Sequence, residues 1–94
     1  MKMFMIAYSD YYEETITRAF SGYKTYMKLH DATGSHEHYE PRLGTPAAPG
    51  KNKCIFIPVP DEEIHHLLDI VQELKAKHPT VGIGACSFQL DEFI

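Results

Sequence analysis

Lys53-Cys54-Ile55-Phe56-Ile57-Pro58-Val59, followed at once by Pro60-Asp61-Glu62-Glu63-Ile64, is the stretch on which the reading of this chain turns. Side chains alternate across a strand, and here both alternating sets are apolar: Ile55, Ile57 and Val59 on one side, Cys54, Phe56 and Pro58 on the other. Such a strand has no face to give to water. Pro58 falls near its end, where a missing N–H costs least. Asp61, Glu62 and Glu63 then put negative charge at a helix start, where the helix dipole favours it. Ile64, Leu67, Leu68, Val71 and Leu74 recur at helical spacing until Lys75, Lys77 and Pro79 end the element.

The same grammar extends in both directions. Met1 to Tyr8 is a short apolar strand entering a turn at Ser9-Asp10. Asp10 reads as a helix cap with Glu13 at the capping-box spacing, and Ile16, Ala19 and Phe20 carry a helix over about 11 to 21, closed by Gly22. Tyr23 to His30 alternates as a half-solvated strand, and Val81 to Leu90 is a last strand apolar on both sides. Residues 31 to 52 lack an apolar period, contain several glycines and prolines, and form a long loop of the kind that usually carries function.

Strand, helix, strand, loop, strand, helix, strand is the β-α-β-β-α-β order of an α+β, ferredoxin-like sandwich, with one four-stranded antiparallel sheet and both helices on one face. The 94 residues suffice for one such domain, 1–94, and no more. The other sheet face is then uncovered, yet three of the four strands are apolar on both sides. A second copy of the sheet is the simplest cover, so a homo-oligomer is expected.

Composition narrows the partners. A formal charge of −4, a pI near 5.8, and Arg18 and Arg42 as the sole arginines provide no basic stripe for nucleic acid. No run approaches the roughly 18 apolar residues of a membrane span, so the expected protein is cytoplasmic and not membrane-embedded. Cys54 and Cys86 lie in apolar runs outside any C-x-x-C pattern and read as buried free thiols of a reducing compartment.

From Cys54 through Ile64 and on through His65-His66-Leu67-Leu68-Asp69-Ile70-Val71, the chain resembles the PII signalling family, in which the third strand runs into V-P-D-E and the second helix. The resemblance spans nearly the whole length. It implies a homotrimer that senses a small ligand, a nucleotide or another anion, in clefts between subunits and signals to a protein partner. It also implies that Ser35 to Asn52, within the long segment 31–52, takes the place of the T-loop. Departures are equally visible: nothing basic follows Lys77, and the phosphate-gripping arginines of the family's C-terminal tail have no counterpart.

Two groups in the loop could carry binding. Arg42 offers a planar fork of donors to a carboxylate or phosphate, Gly34, Gly44 and Gly50 let backbone N–H groups approach an anion, and Lys51 adds a point charge. The resemblance to the PII family implies an adenine nucleotide as one candidate ligand for this set. The alternative is a divalent transition metal on His30, His36 and His38, with Asp31, Glu37 and Glu40 nearby, as in a CutA-like metal-binding trimer. Solvated turn chemistry is the plainer explanation of each group. Enzymatic function is not expected: an acylphosphatase would need an arginine at the first turn, which here reads Ala7-Tyr8-Ser9-Asp10, and both cysteines lie in apolar strand runs that raise a thiol's pKa.

Overall fold

The structure, a computed structural model, describes residues 1–36, 39–42 and 50–94. Strand β1 (Lys2–Ser9) leads through a 3₁₀ turn (Asp10–Tyr12) into helix α1 (Glu13–Ala19), and β2 (Met27–Ala32) follows. A short ribbon of β3 (Gly34–His36) and β4 (Tyr39–Arg42) comes next. Strand β5 (Asn52–Val59), a 3₁₀ turn (Asp61–Glu63), helix α2 (Ile64–Lys77) and β6 (Gly84–Gln89) complete the order. The main sheet runs β2-β5-β1-β6 and every neighbouring pair is antiparallel. This is the expected ferredoxin-like sandwich.

One face of the sheet meets the helices. Phe4, Ile6 and Tyr8 of β1 and Ile55, Ile57 and Val59 of β5 are buried in one cluster with Ile16 and Phe20 from the α1 side and Ile64, Leu67, Val71 and Leu74 of α2. The rings of Phe4 and Phe20 stand 5.5 Å apart, and Tyr12 meets His78 edge-on at 5.2 Å, so each end of the helical layer is pinned by aromatic contact. Helix α2 ends at Lys77, as expected, and Lys75 in its last turn donates from Nζ to the Ile83 carbonyl at 3.1 Å, tying the helix to the approach of β6.

Several local expectations are corrected. Asp10 does not cap α1: the Ser9 hydroxyl accepts from the Tyr11 N–H at 3.4 Å. The Asp10 N–H goes to the Lys51 carbonyl at 3.2 Å, so Glu13 cannot close a capping box on it. Strand β2 begins at Met27 rather than Tyr23 and continues to Ala32, β6 begins at Gly84 rather than Val81, and the segment expected to be all loop contains the β3–β4 ribbon. Cys86 is exposed rather than buried, and Cys54 is half-buried; both are free thiols. The reason lies in register: both project from the sheet face opposite the helices.

Three rows of that open face are apolar. Pairing aligns Pro58, Met3 and Phe88 in one row across the strands, Met27, Phe56, Met5 and Cys86 in the next, and Leu29, Cys54, Ala7 and Gly84 in a third. Met27 is 62% exposed, Leu29 47% and Phe88 46%. In β2 the usual pattern is inverted, since Met27 and Leu29 face outward while Lys28 points to the helix side beside Ile55. Among the described residues, no helix is long and apolar enough to cross a membrane.

Candidate functional site at the base of the β3–β4 ribbon

The end of the sheet where β1 finishes and β5 starts gathers much of the expected ligand set. Asn52 pairs with Ser9 on one side and Ala32 on the other, which fixes the root of the ribbon between β1 and β2. Gly34 lies against it: a Cβ there would sit 3.9 Å from Asn52 Nδ2, so the position is snug without being closed to a side chain. The ribbon pairs the Gly34 backbone with that of Arg42, and His36 with Tyr39. Two residues chosen from sequence for anion contact thus share one rung.

Gly50 and Lys51 return the chain to the same place. Lys51 Nζ stands 3.8 Å from Asp31 Oδ1, a loose pair between exposed side chains that leaves the ammonium available to a better partner. Asp31 has φ 57°, in the left-handed region, at the irregularity between Leu29 and Ala32 where β2 breaks register with β5. Asp tolerates that conformation better than most residues, and the bend turns the chain out of the sheet into the ribbon. His30 is exposed near this bend. His36 and Arg42 are located by backbone pairing, and His38 and Gly44 lie outside the described residues. Among the described residues, no group of three or more His, Cys, Asp or Glu side chains comes together as a metal site.

Next to this base is a polar cluster that sequence reasoning passed over. Glu13, at the first turn of α1, accepts from the Tyr8 hydroxyl at 2.7 Å and the Thr17 hydroxyl at 3.0 Å, and it pairs with Lys53 at 3.2 Å and with Lys28. One carboxylate therefore joins α1 to β1, β2 and β5. Burial alone would raise its pKa, but hydrogen bonds from Lys28, Tyr8, Lys53 and Thr17 outweigh it and hold Glu13 down to about 2. Burial pushes the Tyr8 phenol up, and the Glu13 bond pushes it further. The available sequence signal was the Glu13–Thr17 helical spacing, whereas the inward orientation of Lys28 follows only from the pairing of β2 with β5.

No family model and no curated sequence matches the chain. Solved structures do. CPII, a nitrogen regulatory PII-like protein from Thiomonas intermedia K12, bound to ADP and bicarbonate, superposes with a TM-score of 0.69 at 20% identity, over 97% of this chain and 88% of that one. Its apo form gives 0.64 at 19% identity, over 95% and 89%. A PII-like signalling candidate from Thermus thermophilus gives 0.60 at 20% identity, over 93% and 83%. With its ferredoxin-like sheet, its two helices on one face and the ribbon rising between the second and third strands of that sheet, the chain has the fold of the PII-like proteins.

Proposed function

We propose that this chain is a PII-like regulatory protein of the cytoplasm, assembled as a homotrimer, that senses a small anionic ligand at the ribbon base and signals to a protein partner through the segment between β2 and β5. The observation that carries the reading is the convergence of Gly34, the Arg42 backbone, Gly50 and Lys51 beside Asn52 at one end of the sheet. CPII, with the same fold, is described bound to ADP and bicarbonate, which makes a nucleotide or bicarbonate the first ligands to test. Three rows of apolar side chains on the open face support self-association, because a patch of this kind is costly to leave in water. Nothing in this mechanism needs a bond to be made or broken: ligand capture would favour one arrangement of the segment between β2 and β5 and change what it docks against.

Calorimetry with ADP, bicarbonate and zinc decides the matter. Arg42→Ala should weaken anion binding about ten-fold or more, since a charge-assisted hydrogen bond contributes roughly 1.5–3 kcal/mol. Zinc binding lost on joint replacement of His36 and His38, with no anion binding by the wild type, would replace this reading with the metal-binding one. Absence of binding by all three would leave an assembly module.

A further inference from the structure

Helix α1 is short and leaves a gap in the helical layer beside it, although Ile55 and Ile57 beneath are themselves almost fully buried. From Ser21 to Tyr26 the chain passes over that gap as an irregular segment, leaving an open cavity of about 310 Å³ between α1, β2 and β5 on the helix side of the sheet. Ile55 and Ile57 form its floor and Phe20 one wall. Tyr23 and Tyr26 line the outer part, with Tyr26 more than half exposed. For comparison, a dry apolar cavity of about 150 Å³ takes a benzene ring, so this one has room for a two-ring body. Ligand pockets generally start at about 300 Å³.

The polar groups around this space are unevenly signed. Lys24 and Lys28 line it, and no carboxylate does among the described residues. Lys28 is engaged by Glu13, and the Thr17 hydroxyl donates to the same carboxylate. The Tyr23 hydroxyl donates to Glu63 Oε2 at 3.1 Å, which ties that ring to the start of α2. Lys24 and the Ser21 hydroxyl remain, without a partner among the described residues. An apolar, aromatic-lined floor with one uncompensated ammonium and one hydroxyl at its edge suits a flat apolar ring system carrying a single negative charge.

We infer that this groove is a second ligand site, separate from the ribbon base, for an aromatic monocarboxylate. It opens on the helix side of the sheet, away from the apolar face that self-association would cover. The site is tested by titrating the full-length protein with 2-naphthoate and following backbone amide shifts by NMR, with neutral 2-naphthamide and the exposed-site variants Lys24→Gln and Tyr26→Ala alongside. Shifts should concentrate at residues 17–28 and 55–57. Lys24→Gln and the neutral amide should each bind about five-fold more weakly or worse, and Tyr26→Ala should also lose affinity. Added ADP should not displace the naphthoate. No shifts, shifts confined to the open sheet face or the ribbon base, displacement by ADP, or equal affinity of carboxylate and amide would each overturn the assignment.

Discussion

Among the described residues, Glu13 holds the densest set of polar contacts, with Tyr8, Thr17, Lys28 and Lys53. Its folded pKa of about 2 lies below the ordinary 4.5, so the folded state gains stability above pH 4.5 and loses it as pH falls toward 2. The shift corresponds to about 3 kcal/mol, an upper figure because the side chain keeps some exposure. Urea unfolding followed between pH 6 and pH 2 should show this loss in the wild type, while Glu13→Gln should start about 2–3 kcal/mol lower and vary less over the same window. Equal pH profiles would remove Glu13 as the acid-sensitive group. Asp31 makes a second prediction at this scale. Its φ of 57° is strained for a side chain with a Cβ, so Asp31→Gly should be neutral or stabilising by up to about 1 kcal/mol, and Asp31→Val should lose about 1–2 kcal/mol. Thermal denaturation of the two variants reads the difference.

Among the elements, α1 and β2 depend most on their surroundings. Helix α1 has only seven residues, too few to hold together alone in water, and Ile16 is its one fully buried side chain. Ile16→Ala should therefore cost about 2–5 kcal/mol and release α1 together with the Glu13 cluster, which hydrogen exchange would show as lost protection over residues 13–20. Retained protection there would mean that the salt-bridged cluster, and not Ile16, holds the helix. Strand β2 owes its odd polarity to the same cluster: Lys28 turns inward to reach Glu13, which sends Met27 and Leu29 to the open face.

For the whole molecule the decisive question is what covers the three apolar rows. Light scattering at micromolar concentration should report a trimer. Phe88→Glu, at an exposed end of the Pro58-Met3-Phe88 row, should yield smaller species that stay folded by circular dichroism, because Phe88 adds nothing to the helix-side core. The thiols are an internal reporter. In the free chain Cys86 is exposed, and burial pushes the Cys54 thiol up, so a reagent should find Cys86 first. In the native assembly both should be protected, and Phe88→Glu should unmask Cys86. Rapid labelling of Cys86 in the wild type would show the face uncovered.

Strand and helix order, the sheet's two apolar alternations and the α2 stripe are all legible in the sequence, because each rests on local periodicity: period two for Cys54 to Val59, period 3.6 for Ile64 to Leu74. With those, the ferredoxin-like order and an uncovered apolar face follow without coordinates. Periodicity does not say which of two apolar faces the helices take, however, and so an apolar run suggests a buried Cys86 while register across β1 places it outside. Nor does it reveal partners distant in the chain: Asp10 and Glu13 have capping-box spacing, yet Lys51 takes the Asp10 N–H and Lys28 and Lys53 take the Glu13 carboxylate. Those contacts, the rung shared by Gly34 and Arg42, and the groove beside α1 exist only once β2 and β5 are paired. Short-range pattern determined the elements; the antiparallel register between strands far apart in sequence decided which side chains meet.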